Sequence, residues 1–304
     1  MTNEPILAPT TLADFSKQMD EVSQWLVLWG IATDRTRVQH YKKIFEGVLR
    51  ARITGTIEDF AKECRPEEYS SCFVDASAIR LIKRAFPKPQ PRSLAKLLER
   101  GIEGTYLLRE ERPQKPKARD YLFELMFASY LRLRGIPVLL NPSNDESRTD
   151  LVARVVDCSF DIECKRAQSA EALFGAVKKG IKQLNRAGNR FTRREYPRRS
   201  LVAVDISKLC FTGSALLEFP SLRHLRAQVR YTMACAARAL EKEMRPGTIP
   251  DSLIIIFHLK IPAFVREDGC LWDATKFHYA SPAALASPDG AITMRLMERI
   301  GPVA

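Results

Sequence analysis

Four side chains in this sequence combine types and spacings suited to chemistry on a hard cation. Along Phe160-Asp161-Ile162-Glu163-Cys164-Lys165 apolar and charged residues alternate strictly, so on a strand Phe160, Ile162 and Cys164 face a core while Asp161, Glu163 and Lys165 share the opposite face. The preceding segment, residues 150–156, has Leu151, Ala153 and Val155 as its apolar set and leaves Asp150 and Arg154 on the other side. Too few residues separate the two segments for anything but a hairpin. With Asp157 and Cys158 as a two-residue turn, Arg154 faces Asp161, Asp150 faces Lys165, and Glu163 is the diagonal neighbour of Asp150, about 7 to 8 Å away. Two carboxylates can close that gap around one divalent ion, which prefers oxygen ligands. An ammonium beside them can orient a water or offset developing negative charge.

Glu124 supplies a third carboxylate. Residues 121–131 are apolar around almost the whole circumference of a helix, and Glu124 is the one charged group among them. A buried carboxylate is costly unless it is paired, protonated or bound to metal. Pairing with an arginine such as Arg132 is the structural alternative.

The elements that must position these groups follow from periodicity. After Lys117 the pattern predicts a helix over 118–134, a strand over 136–140, strands over 150–156 and 160–165, and a helix over 169–187. Buried strands are expected over 201–206 and 253–259, with a helix over 221–244 between them. The order is αβββαβαβ, an α/β unit with a mixed sheet. Residues 1–112 read instead as an all-helical domain for substrate recognition or oligomerisation, and 113–304 as the site-bearing domain. In the first helix Phe15, Met19, Val22, Leu26 and Trp29 form the apolar side, and Gly30 ends it.

Charge is concentrated rather than spread. The formal net charge is +12, and residues 165–199 hold eleven Lys or Arg against only Glu171 and Glu195. Such clustering points to a polyanionic partner. On the predicted helix Leu173, Val177, Ile181 and Leu184 form the buried stripe, whereas Lys178, Lys182 and Arg186 repeat at i, i+4 on the opposite side. Arg190, Arg193, Arg194, Arg198 and Arg199 follow, with Phe191 and Tyr196 interleaved, a pattern suited to phosphate contacts.

Glu124 on a helix, then Asp150, then Glu163-Cys164-Lys165, within an αβββαβ order over about residues 118–206, resembles the core of the PD-(D/E)xK nuclease superfamily. This is the fold of many restriction endonucleases and Holliday-junction resolvases. The motif's proline is Thr149 here, and because Ala187 follows Gln183, the Gln/Tyr pattern of helicase-associated exonucleases is absent. The resemblance implies a restriction-endonuclease-like fold and a Mg²⁺-dependent endonuclease, with Mn²⁺ substituting. Asp150 and Glu163 would be direct ligands and the main-chain carbonyl of Cys164 a third, while Glu124 would act through water or a second ion. Lys165 would orient the attacking water. DNA is the expected substrate and prokaryotic restriction or defence the setting the family suggests. An RNA-cleaving nuclease of the same fold and a non-catalytic nucleic-acid-binding scaffold stay open, as does a homodimer or partner contact through the N-terminal helices.

Other chemistries lack their residues. There is no G-x-S-x-G, H-E-x-x-H or G-x-x-x-x-G-K-[ST] pattern. The seven cysteines include no C-x-x-C pair, so buried free thiols are expected. The longest apolar runs, such as residues 253–257, are strand-sized and far short of the roughly 18 residues that cross a bilayer. With no basic segment and apolar stretch at the N-terminus, a cytoplasmic location is expected.

Overall fold

The computed structural model describes residues 6–10, 12–34, 36–54, 65–89, 91–107, 110, 118–141, 149–155, 158–188, 198–210, 217–243, 253–279 and 296. It is an α/β protein. Strand β1 (Ile6–Thr10) precedes five helices: α1 (Leu12–Leu28), α2 (Arg37–Thr54), α3 (Pro66–Ala85), α4 (Arg92–Ile102) and α5 (Ala118–Leu133). Then come β2 (Val138–Leu140), β3 (Leu151–Val155), β4 (Cys158–Arg166), α6 (Ala170–Gly188), β5 (Arg198–Asp205) and β6 (Leu217–Phe219). Helix α7 (Leu222–Glu243) and strands β7 (Leu253–Val265) and β8 (Cys270–Tyr279) follow, and a 3-10 turn, Ser207–Leu209, lies between β5 and β6. From α5 to β5 the order is αβββαβ, as the periodicity predicted.

The sheet runs β1-β8-β7-β5-β4-β3-β2, with β6 beside the end of β7. Strands β2, β3 and β4 form an antiparallel meander, β4, β5 and β7 are parallel, and β8 and β1 return antiparallel. Alternation along the parallel strands assigns their two faces. Leu201, Ala203, Ile254 and Ile256 pack toward α1–α5, in one cluster with Phe15, Phe45, Phe73, Leu98 and Phe127. Val202, Val204, Ile255 and Phe257 pack the other way, against Leu173, Val177 and Leu184 of α6 and Leu225, Val229 and Met233 of α7. Helix α6 rides close to β5 because position 180 is glycine: a Cβ there would lie 2.8 Å from Val202 Cγ1.

Residues 1–112 differ from the all-helical expectation. Strand β1 joins the edge of the sheet, pairing Ile6 with Thr275 and Thr10 with Leu271. The N-terminal helices also share one apolar cluster with the sheet, so their core continues past residue 112. Polar contacts reinforce this continuity. Asp75 of α3 receives Arg119 Nη2 of α5 at 2.8 Å and Arg37 Nη1 of α2 at 2.9 Å, and Tyr41 Oη donates to the same carboxylate. Lys260 Nζ of β7 lies 2.9 Å from Ser77 Oγ of α3 and 3.2 Å from Asp273 Oδ2 of β8. Among the described residues no helix is long and apolar enough to cross a membrane.

Candidate active site

The hairpin β3–β4 places the predicted residues, though not in the predicted register. Leu151 pairs with Ile162, Val152 with Asp161, Arg154 with Ser159 and Val155 with Cys158. The register is therefore shifted by two residues from the expected one. Cys158 is 1% exposed and begins the buried row Cys158, Phe160, Ile162, Cys164, so it belongs to the strand rather than to a turn. A shift of two preserves every face, but it changes each neighbour. Arg154 does not oppose Asp161; Val152 and Ser200 do, and Arg198 of β5, which pairs with Ser159, reaches across with Nη1 2.8 Å from Asp161 Oδ2. Continued by one residue, the register sets Asp150 beside Glu163 rather than diagonal to it, and Asp150 Oδ2 accepts the Cys164 amide at 2.8 Å.

Asp150 is fixed from the other side as well. Asn141 donates its main-chain N–H to the Asp150 carbonyl at 3.0 Å and its Nδ2 to the Thr149 carbonyl at 3.2 Å. Thr149, in the proline position of the motif, is buried and donates Oγ1 to the Leu151 carbonyl.

Three oxygens converge on one ammonium. Lys165 Nζ lies 2.6 Å from Glu163 Oε2, 2.9 Å from the Cys164 carbonyl oxygen and 3.3 Å from Asp150 Oδ2. Glu163 is fully buried, and its Oε1 has no hydrogen-bond partner among the described residues. An unpartnered buried carboxylate oxygen is costly unless a cation or proton meets it. Burial and the neighbouring Asp150 push the Glu163 carboxyl upward, against the pull of Lys165. Burial alone would lower the Lys165 ammonium, but Asp150 and Glu163 outweigh it and hold the lysine charged.

Glu124 belongs to the same electrostatic neighbourhood. Burial, then Asp150, raise its carboxyl well above the usual range, with Lys165 opposing and Asp120 and Glu163 adding to the rise. Arg132, the structural alternative as partner, instead lies over the Phe86 ring at 4.7 Å. Three carboxylates thus share one ammonium, a surplus of negative charge that a divalent ion would relieve.

The donor set fits such an ion. Among the described residues no three His, Cys, Asp or Glu side chains are arranged to hold a metal by themselves. The third oxygen at this site is a main-chain carbonyl, that of Cys164, already aimed at a positive charge. Hard oxygen ligands of this kind suit Mg²⁺, which takes one or two carboxylates and completes its shell with water or substrate oxygens.

The predicted basic ridge is partly described. Lys178, Lys182 and Arg186 are exposed on α6, opposite the buried Leu173, Val177 and Leu184, whereas Ile181 is half-buried. Arg190, Arg193 and Arg194 lie outside the described residues, as do Phe191 and Tyr196.

Sequence reasoning missed the polar layer behind the site. Arg166, next to Lys165 but on the other face of β4, reaches Asp120 Oδ1 of α5 at 3.3 Å and Asp205 Oδ2 of β5 at 3.2 Å. His258 Nδ1 of β7 meets Asp205 Oδ1 at 3.3 Å. The available signal was the polar residue that ends or interrupts each apolar run: Asp205 after residues 201–204, and His258 and Lys260 within β7. No family model, curated protein or solved structure matches the chain.

Proposed function

We propose that this protein is a Mg²⁺-dependent endonuclease acting on DNA, built on a restriction-endonuclease-like αβββαβ core from α5 to β5. One observation carries the reading: Asp150 Oδ2, Glu163 Oε2 and the Cys164 carbonyl converge on a single positive charge while Glu163 Oε1 stays buried and unpartnered. These are the three groups that the resemblance names as ligands. Asp150, Glu163 and the Cys164 carbonyl would hold the ion, and Glu124 would reach it through water or hold a second one. When bound, the ion supplies Lewis-acid stabilisation of the phosphoryl oxygens and lowers the pKa of the attacking water. Lys165, held charged, orients that water and offsets negative charge as the phosphodiester is cleaved. Lys178, Lys182 and Arg186 supply phosphate contacts without sequence information.

The test is direct. Supercoiled plasmid, linear duplex and RNA are each incubated with the protein in Mg²⁺, Mn²⁺ or EDTA. Nicking or linearisation of DNA in Mg²⁺ and Mn²⁺ but not EDTA is expected, and RNA cleavage alone would move the assignment to the ribonuclease alternative. Absence of cleavage in every metal, or full activity in Glu163→Ala, overturns the reading. Calorimetry supplies an independent arm: Mn²⁺ binding should be lost in the Asp150→Ala, Glu163→Ala double variant.

A further inference from the structure

The face of the sheet covered by α6 and α7 carries two rows of cations. Helix α6 exposes Lys178, Lys179, Lys182 and Arg186, and helix α7 exposes Arg223, Arg226, Arg230 and Arg238. The exposed carboxylates of these helices, Glu171, Glu241 and Glu243, lie only near helix ends. Both helices bury their apolar stripes against the same side of the sheet, so the two rows stand on one outer surface.

A groove of about 480 Å³ opens on this surface, lined by Leu173 of α6, by Leu209, by Phe219 and Glu218, whose carboxylate pairs with Arg266, and by Gln228 and Tyr231 of α7. That volume lies within the range of small-ligand pockets, about 300–1,000 Å³. Tyr231 is 62% exposed, so packing does not account for its ring. It lines the groove together with Leu173, so it stands on the flank of α7 that faces the groove, a flank shared with Arg238 two turns on, whereas Arg223, Arg226 and Arg230 lie on the opposite flank.

The groove is also close to the chemistry. Ala170, which opens α6 and lines the groove, follows Lys165 by five residues, and Leu209 follows Asp205, the last residue of β5. The groove therefore lies at the carboxyl ends of parallel β4 and β5, on the face that Glu163 and Lys165 share with Val202. Ligands of open α/β sheets bind in such crevices.

Two basic rows call for a polyanion. An apolar slot with an exposed aromatic calls for a planar group with an accessible face, and Gln228, half-buried in the lining and held by donating Nε2 to Thr232 Oγ1 at 3.3 Å, puts an amide at its edge. An acidic peptide brings no regular series of planar groups, and a duplex keeps its base faces stacked away. A single strand brings both phosphates and free base faces. We infer that the groove between α6 and α7 binds an unstacked base of a single-stranded or unpaired stretch of nucleic acid, with Tyr231 stacking on it and Arg238 and the exposed cations of α6 holding phosphates. This rests on the reading of the substrate as nucleic acid and names its preferred form.

Binding is measured by fluorescence anisotropy in EDTA, so that no turnover is required, with an oligothymidylate of about twenty nucleotides and a duplex of equal length. The wild type should prefer the strand. Tyr231→Ala should weaken strand binding about tenfold and duplex binding by no more than about twofold, while Tyr231→Trp retains affinity because stacking is preserved. The Lys178→Ala, Arg238→Ala pair should flatten the single-strand salt slope by about 1.4. A 2-aminopurine in the strand should be quenched by the wild type and not by Tyr231→Ala. Equal affinity for strand and duplex, or wild-type strand affinity in Tyr231→Ala, overturns the inference. A protein that cuts nothing yet binds the strand through Tyr231 keeps the groove and loses the nuclease reading. One that cuts duplex DNA without Tyr231-dependent strand binding does the reverse, and failure to bind any nucleic acid overturns both.

Discussion

Asp75 and Glu163 are both buried carboxylates paired with basic side chains, yet their surroundings drive their protons in opposite directions. Around Asp75 two guanidiniums and a phenol meet one carboxylate: Arg37, Arg119 and Tyr41. Burial would raise this carboxyl, but Arg119 and Arg37 outweigh it and hold it at about 2. Around Glu163 the ratio is inverted, with Asp150 and Glu124 near and only Lys165 to answer them. Its carboxyl rises, and one of its oxygens has no partner among the described residues. Asp75 completes a junction of α2, α3 and α5 that needs nothing further. The Glu163 cluster is electrostatically incomplete, which is a cost to the fold and an opening for a cation. Strongly shifted carboxyls occur at structural ion pairs and at functional sites alike, and these two clusters differ in the direction of the shift.

If that contrast holds, substitutions in the two clusters have opposite signatures. Asp150→Ala, Glu163→Ala and Lys165→Ala should each reduce cleavage by a factor of about 10³ or more, measured as plasmid nicking at saturating Mg²⁺. The double variants should lose little more than the singles, since the groups act as one unit. Melting temperatures of the Asp150 and Glu163 variants should stay near wild type, because each removes surplus negative charge, whereas Lys165→Ala takes away the ammonium that offsets it and should melt lower. An active Lys165→Ala, or a Glu163→Ala that unfolds, would place this cluster with the structural one.

Asp75→Ala should do the opposite. Removing the carboxylate leaves Arg37 and Arg119 buried with their main partner gone, a loss of about 3 to 5 kcal/mol. Urea unfolding should report that loss, while the nicking rate per folded molecule stays unchanged. A variant as stable as wild type would mean that water or the carbonyls of Gly101 and Tyr106, which already accept from these arginines, replace the carboxylate.

Acid titration sharpens the same contrast at a smaller scale. The Asp75 carboxyl is depressed in the fold, so its contribution is present above the unfolded-state value near 3.9 and is lost as the pH falls through about 2. The shift corresponds to roughly 2 to 3 kcal/mol. Melts recorded between pH 5 and pH 2 should therefore fall less steeply in Asp75→Asn than in wild type. Parallel curves would show that Asp75 does not titrate as the ion pairs require.

The site was legible because its signals are local. Strict alternation from Phe160 to Lys165, and one acid in the apolar helix around Glu124, survive in any tertiary setting. The register was misread because Asp157-Cys158 looked like a polar turn, although the thiol continues the buried row and belongs with Phe160. What sequence could not reveal depends on distant partners. Strand β1 exists through pairing with β8, whose residues come some 260 positions later, so nothing near Ile6 announces it. Asp75 and Arg119 meet across 44 residues, and α3 alone gives no reason for an acid among its apolar positions. The arginines of α7 went unweighted because they are diluted along a long helix. They become a row only when that helix is laid beside α6.

The smallest expected effect concerns that surface and tests whether the α6 ridge is chemistry or only solvation. Lys178, Lys182 and Arg186 are exposed and point away from the buried stripe, so their triple alanine variant should melt within a degree or two of wild type. If each contacts a phosphate, each releases condensed counterions, and the slope of log K against log salt on duplex DNA should become shallower by roughly 2 to 3 units. Cleavage should recover at saturating substrate, because the groups proposed to act on the scissile phosphate are intact. That recovery distinguishes lost affinity from lost catalysis, which Lys165→Ala cannot regain at any concentration. Salt slopes that match wild type on both duplex and single strand would leave the ridge a solvated face and bring the nucleic acid to the site from another side.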